Sequence, residues 1–295
     1  MTEKKKRIHV VINPASGRDE PILNVINAVF HEHEVEWGVS VTQKYGDATE
    51  FARQAAAEGY DIVAGYGGDG TQHEIANGIM GSSALMGVLP GGTGNGFANE
   101  MGIPNKLRPA LEVLCTSENV REIDIVKMDE GYFIQRLYVG IEPETQTSRE
   151  EKDKYGTFAY AISSFNRARE VKEVQYQISI DGELMEVPAM KLYVVNAGKS
   201  GTGISVTGNF SSVDDGLLDL FILDLKNLHT LVGATERMLS LSLKDAKETF
   251  HQGKEISIDT DPDQPVWTDG EYTGRTPVSM KVLQGALRVI IPSPS

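Results

Sequence analysis

Only one cysteine occurs in the 295 residues, Cys115, so an internal disulfide and a multi-cysteine metal site are both excluded. Its setting, Leu111-Glu112-Val113-Leu114-Cys115, is that of a core residue rather than a nucleophile. The six histidines show no zinc-type spacing; His31 and His33, two apart at the end of an expected helix, face different ways. No uninterrupted apolar run of about 20 residues is present, and the basic start leads only into the short run Ile8–Ile12, which argues against a membrane-spanning helix and a signal core. Positive charge is scarce: 28 Lys and Arg stand against 42 Asp and Glu, a formal charge of −14. A surface of that sign disfavours nucleic acid as a partner, and broad adhesion to anionic lipid with it. The basic cluster Lys4-Lys5-Lys6-Arg7 is a solvated tail or a peripheral membrane contact worth about 1 kcal/mol per residue. The expectation is a cytoplasmic protein. No GxxxxGK[ST] loop occurs, which excludes the common P-loop nucleotide hydrolases.

The chain is long for one core, and two domains are expected. Apolar runs at Ile8–Ile12, Val35–Val41, Ile62–Ala64 and Leu85–Leu89 alternate with helical patterns. Ile22, Val25, Ile26, Val29 and Phe30 form one apolar stripe at helical spacing. Asp47 with Glu50 three residues later reads as a capping box, and Gly59 closes that helix. Further helices are expected over Gln72–Met80 and Leu107–Cys115. Strand and helix in alternation predict an α/β nucleotide-binding domain with a parallel sheet over residues 1–125, its ligand at the carboxyl ends of the strands. Beyond that point come strands and hairpin turns: Tyr132–Val139, Val174–Ile180, Lys191–Val195, Leu217–Leu223 and the closing Ala286–Ile291. These predict a mostly antiparallel, β-rich second domain over 126–295, its last strand free to return to the first. Two helices, Thr157–Arg169 and Leu228–Phe250, are expected within it.

Thirty glycines are present, several of them grouped at strand ends. Gly67-Gly68-Asp69-Gly70-Thr71 follows one apolar run and precedes a helix, the placement of a phosphate-binding loop. Glycines let amides approach a ligand, and the helix directs positive partial charge at an anion. Asp69 would repel bare phosphate, so it implies a bridging metal, water or ribose. A second loop, Pro90-Gly91-Gly92-Thr93-Gly94-Asn95-Gly96, follows the next strand, and the pair suggests one shared nucleotide. Gly65, Gly67 and Gly70 also satisfy the dinucleotide pattern, but a dehydrogenase needs an acidic residue ending the following strand, where Pro90 and Gly91 stand instead.

Taken in order, Asn13-Pro14, Ser16-Gly17, Gly67 to Thr71, Gly92-Thr93-Gly94-Asn95, Asp214-Asp215-Gly216-Leu217-Leu218-Asp219 and Asp269-Gly270-Glu271 resemble the diacylglycerol-kinase catalytic family, which includes bacterial lipid kinases and sphingosine kinases. The resemblance covers essentially the whole chain. It implies an ATP-dependent lipid kinase that transfers the γ-phosphoryl group to a hydroxyl of a lipid such as diacylglycerol or phosphatidylglycerol, presented at a membrane surface, with ATP and Mg²⁺ as cofactors. By the same resemblance Asn13, Pro14, Ala15, Ser16, Gly17, Thr42, Gly67, Gly68, Asp69, Gly70, Thr71 and Thr93 are nucleotide contacts. Thr42 enters through Thr42-Gln43-Lys44-Tyr45-Gly46-Asp47-Ala48, which is similar to the family's threonine segment before Gly-Asp-Ala. Asp215 with the carbonyls of Ser212 and Leu217 corresponds to a magnesium site of structural type. Glu271 or Asp269 corresponds to the acceptor of the lipid hydroxyl's proton, with Asp69 as a further catalytic position; Asp124 and Lys154 match cleft positions. A second tripeptide, Asp181-Gly182-Glu183, reads as an ordinary hairpin turn. Gly96 departs from the family, which has aspartate before Phe-Ala. The alternatives are an NAD kinase, which shares the Gly-Gly-Asp-Gly-Thr loop, and a nucleotide-binding protein without turnover, which Gly96 suggests. No protein partner is readable from the sequence, and a homo-oligomer is left open.

Overall fold

The computed structural model describes residues 5–16, 20–140, 173–196, 212–223 and 250–293. Two compact units emerge, one of residues 1–123 with the closing segment 285–295, the other of residues 124–284.

The first unit runs β1 (Arg7–Ile12), α1 (Ile22–Glu32), β2 (Glu36–Val41), α2 (Asp47–Ala57), β3 (Ile62–Gly67), α3 (Asp69–Ile79), β4 (Leu85–Pro90), the short α4 (Gly96–Glu100) and α5 (Leu107–Thr116). Its strands pair in parallel in the order β2-β1-β3-β4. β3 is buried along its whole length, as a central strand of a parallel sheet must be, and this is why it reads as an unbroken apolar run. α1 buries Ile26, Val29 and Phe30, the heart of the predicted stripe, each contributing about 1.5–3 kcal/mol by leaving water. The sheet order reverses between β1 and β3, so the crevice for a ligand opens at the carboxyl ends of those two strands.

β5 (Val120–Met128) carries the chain across the boundary. The second unit then holds β6 (Tyr132–Phe133), β7 (Arg136–Val139), β8 (Val174–Ile180), β9 (Glu183–Ala189), β10 (Lys191–Val195), β11 (Leu218–Leu223), β12 (Phe250–Gly253), β13 (Glu255–Asp261), β14 (Pro265–Thr268), β15 (Glu271–Arg275) and the first part of β16 (Val278–Ile290). The closing strand is more than twice as long as Ala286–Ile291. Its first part pairs antiparallel with β13, and its last residues lie in the first unit, with Val289 parallel to Met86 of β4. The helices expected over 157–169 and 228–250 fall outside the described residues, apart from Phe250, which begins a strand instead.

Within the second unit six strands pair antiparallel in the order β12-β11-β10-β7-β14-β15. One face of this sheet presents Leu137, Val139, Leu192, Val194, Leu220 and Val266 to a core shared with Tyr176, Ile178, Ile256, Ile258 and Met280. Side chains alternate along a strand, and on the other face a single register row places an aromatic on every strand: Phe250, Phe221, Tyr193, Tyr138, Trp267 and Tyr272. The row runs from half-buried Phe250 and Phe221 through buried Tyr193, Tyr138 and Trp267 to Tyr272, 47% exposed. Among the described residues no helix is long and apolar enough to cross a membrane.

Candidate active site

Three loops leave the carboxyl ends of β1, β3 and β4, and their mutual contacts are specific. Asn13 donates from its backbone to the Tyr66 carbonyl at 3.0 Å and from Nδ2 to Thr71 Oγ1 at 3.1 Å. Its Oδ1 accepts the Ala15 amide at 3.0 Å, an Asx turn that folds the first loop back. Pro14 and Ala15 are exposed at its tip, and Gly17 lies outside the described residues. Thr42 sits beside this loop, its amide donating to the Ile12 carbonyl at 2.9 Å. The second and third loops touch: the Gly91 amide donates to the Gly67 carbonyl at 3.0 Å. A Cβ at Gly92 would stand 2.7 Å from the Gly68 Cα, so only glycine permits this approach. Asn95, at φ 48°, closes the third loop by accepting the Gly92 amide and donating to its carbonyl, and Thr93 is left exposed at the turn.

The helix after the glycines starts at Asp69, three residues before the expected Gln72. Its first intrahelical bond is Gln72 N–H to the Gly68 carbonyl, so the amides of Asp69, Gly70 and Thr71 precede the ladder and carry the positive end of the helix dipole. The Asp69 side chain is also engaged within the protein. Its two oxygens divide between two amides, Oδ2 accepting from Gly96 at 3.1 Å and Oδ1 from Phe97 at 2.9 Å. Asp69 thus ties the second loop to the start of α4.

The capping box at Asp47 is not formed. Asp47 is the first helical residue, and its carboxylate reaches back to the amides of Gln43 and Lys44. The two amides that a box would have used, those of Asp47 and Glu50, donate to the carbonyls of Lys44 and Gly46. The helix start is held instead by Glu74 of α3, whose Oε2 accepts from Gly46 at 2.9 Å and Ala48 at 3.0 Å. Burial pushes the Glu74 carboxyl above its ordinary range, opposed by those amides. A raised carboxyl favours the fold most below the unfolded value near 4.5 and loses that advantage as pH rises through the folded value. Because both amides share one oxygen, Glu74→Gln keeps both bonds; its melting temperature should gain on the native protein as pH rises above 4.5. Glu74→Ala strands two amides and should lose about 1–3 kcal/mol at every pH. Denaturation followed from pH 4 to pH 8 checks both, and a Gln variant that loses ground with rising pH sinks the assignment.

In the second unit Asp269 and Gly270 form the two-residue turn between β14 and β15, at φ 48° and 95°, the left-handed pair that such hairpins need. The Asp269 carboxylate is fully engaged: Oδ2 accepts from Ile134 at 2.7 Å, and Oδ1 from Gln135 and Arg136 at 2.9 Å each. Glu271, next along the hairpin and opposite Thr268 in the ladder, is exposed, and its side chain makes no hydrogen bond or ion pair with another described residue. The tripeptide at 181–183 has the same build, with φ 51° and 90° and Asp181 Oδ1 accepting from Lys254 and Glu255 at 2.9 Å each. It is therefore a stapled hairpin rather than a plain turn. The tripeptide alone does not mark a site.

The match to known families now joins this geometry. Residues 7–128 match the model of the diacylglycerol kinase catalytic domain, and residues 135–291 match the YegS C-terminal NAD kinase beta sandwich-like domain. The chain belongs to the diacylglycerol kinase family. Curated diacylglycerol kinases of Staphylococcus aureus, strains MRSA252 and bovine RF122 / ET3-1, are each 31% identical over 98% of this chain and 93% of theirs. The crystal structure of a diacylglycerol kinase from Bacillus anthracis str. Sterne matches with a TM-score of 0.80 at 26% identity, covering 98% of each chain. A further crystal structure from that organism reaches 0.84 at 25% identity over 99% of each chain.

Gly96, where the resemblance leads one to expect an aspartate, has its amide bound to Asp69. Burial pushes the Cys115 thiol up to about 11. Asp124, fully buried, accepts the Gly216 amide at 2.6 Å, while Asp215 accepts from Ser212 at 2.8 Å and Leu217 at 3.0 Å. Among the described residues no three His, Cys, Asp or Glu side chains are grouped to hold a metal. Asp215, Ser212 and Leu217 are nevertheless brought together by those two bonds, and a carboxylate with about four lone-pair sites keeps acceptor capacity beyond them. The Ser212 carbonyl also lies at this turn, accepting the Asp215 amide at 3.2 Å, and carboxylate and carbonyl oxygens are the donors that suit magnesium. Lys154 lies outside the described residues. Sequence reasoning missed Glu74 as the fastener of the α2 start, since no pattern in the sequence names its distant partner.

Proposed function

We propose that the protein is an ATP-dependent kinase that phosphorylates a lipid hydroxyl, of the diacylglycerol or phosphatidylglycerol kind. The observation that carries this reading is the meeting of three loops at one sheet edge, where Asn13, Gly67–Thr71 and Gly91–Asn95 are fastened to one another ahead of the α3 amides. A triphosphate laid there is held by amides that need no reorganisation, the main resource for phosphoryl transfer. Asn13 to Gly17, Thr42 and Thr93 complete the nucleotide contacts. Asp69 acts by positioning, since its oxygens hold amides. Glu271 accepts the hydroxyl proton as the acceptor oxygen bonds to the γ-phosphorus and the bridge to ADP breaks. Asp269 shapes the hairpin that presents it. Magnesium, when bound, would be held by Asp215 with the carbonyls of Ser212 and Leu217 and would neutralise the acidic turn Asp214-Asp215 in a structural role. Tyr272, beside Glu271 and at the open end of the aromatic row, offers apolar contact to an acyl chain. Of the basic cluster, Lys6 is bound to the Leu114 and Cys115 carbonyls and Arg7 to Glu36 and the Glu58 and Gly59 carbonyls, which leaves exposed Lys5 to add peripheral contact with an anionic membrane surface.

The test is incubation with γ-labelled ATP and, separately, vesicles of diacylglycerol, phosphatidylglycerol, ceramide or a sphingoid base, and NAD. Label in a glycerolipid is the expected result. Label in NAD identifies an NAD kinase, and bound nucleotide with no product on any acceptor identifies a protein without turnover; either defeats the reading.

A further inference from the structure

Tyr66 is the last side chain before the glycine loop, and nothing in the reading above uses it. Its ring is fully buried, yet it contacts the surroundings of all three loops. Its carbonyl accepts the Asn13 amide at 3.0 Å. Its hydroxyl donates to Glu20 Oε1 at 2.6 Å. Its ring fills the space beside Gly91, where a Cβ would lie 2.8 Å from Cε1. Asn13, at the start of the first loop, is thus fastened to the Tyr66 backbone, and Glu20, just before α1, to the Tyr66 side chain.

We propose that the Tyr66–Glu20 hydrogen bond is a tether that sets nucleotide affinity, with both residues in positioning roles. The proposal rests on the nucleotide reading of this site. A loop that must be ordered by its ligand loses part of the binding free energy to that ordering, and fastening it beforehand removes the loss. A phenol donating to a carboxylate is a charge-assisted bond, short and stronger than a neutral one. Contacts made by the Asn13–Ser16 segment grip the nucleotide before and during transfer alike, so loosening it weakens binding while leaving the chemical step in place. A merely structural bond would lower the melting temperature and leave affinity alone.

The variants are Tyr66→Phe, which keeps the ring against Gly91, Glu20→Ala, Glu20→Gln and the double Tyr66→Phe/Glu20→Ala, in the full chain. ATP affinity is measured by calorimetry, and KM and kcat by lipid phosphorylation. Tyr66→Phe and Glu20→Ala should each raise Kd and KM for ATP about 10-fold, the scale of one hydrogen bond to a charged group, with kcat within about twofold. The double variant should be no worse than the poorer single one. Glu20→Gln, which retains an acceptor oxygen, should recover most of the affinity. Equal ATP affinity in the native protein and both single variants overturns the tether alone, as do losses that add in the double variant. A native protein that binds no adenine nucleotide overturns the tether together with the reading beneath it.

Discussion

Replacing Asp69 with alanine is expected to abolish phosphoryl transfer and to destabilise the first unit by about 1–3 kcal/mol for each amide left without an acceptor. The geometry makes the result specific. Gly96 and Phe97 are both buried, and each donates to a different oxygen of the one carboxylate. Asparagine offers a single carbonyl oxygen and turns an N–H₂ toward the other amide, so Asp69→Asn should recover one bond and fail to restore activity. Glu74 is the internal contrast, because its two amides share one oxygen and glutamine is tolerated there. The two substitutions are the same chemical change with opposite expected outcomes. Hydrogen exchange at the Gly96 and Phe97 amides, thermal unfolding and lipid phosphorylation read the three consequences. An Asp69→Asn protein with native exchange and native turnover would show that the carboxylate does not join the loops.

Much of the first unit was legible because its signals are local. The stripe Ile26, Val29 and Phe30 and the buried runs of β1, β3 and β4 follow from side-chain period, and the glycines at strand ends follow from the need for close backbone approach. What the sequence hides is where each carboxylate points. Asp47 and Glu50 have capping-box spacing, yet Asp47 lies one residue inside the helix and holds the Gln43 and Lys44 amides, while Glu74, from another helix, holds those of Gly46 and Ala48, a contact no local pattern names. Gly68-Asp69-Gly70 reads as loop from its composition, but Asp69 and Thr71 are pinned by Phe97 and Asn13, and the helix begins there. The two Asp-Gly-Glu hairpins show the same limit. Their turns share dihedral signs and their aspartates both staple amides of a neighbouring strand, so no property of three residues separates them. The strand each aspartate grips does: β13 beside Asp181, and the β6–β7 connection beside Asp269.

That separation supplies the second large effect. Glu271→Gln should leave the melting temperature unchanged, because Glu271 is exposed at the hairpin, and should lower kcat for lipid phosphorylation about 10²–10⁴-fold, the range for loss of a positioned proton acceptor. Asp269→Asn tests the competing assignment. Asparagine keeps an oxygen for the Gln135 and Arg136 amides, which share Oδ1, and loses only the Ile134 bond on Oδ2. A proton acceptor cannot survive that substitution, whereas a staple largely can. Asp269→Asn should therefore unfold at a lower temperature and keep most of its turnover, the mirror image of Glu271→Gln. Asp181→Ala is the control for the staple itself: its Lys254 and Glu255 amides are exposed, so it should lose about 0.5–1.5 kcal/mol of stability and no activity. Should Asp269→Asn abolish transfer in a protein of native stability while Glu271→Gln remains active, the proton passes to Asp269, and the three amides on its carboxylate must then release an oxygen during turnover.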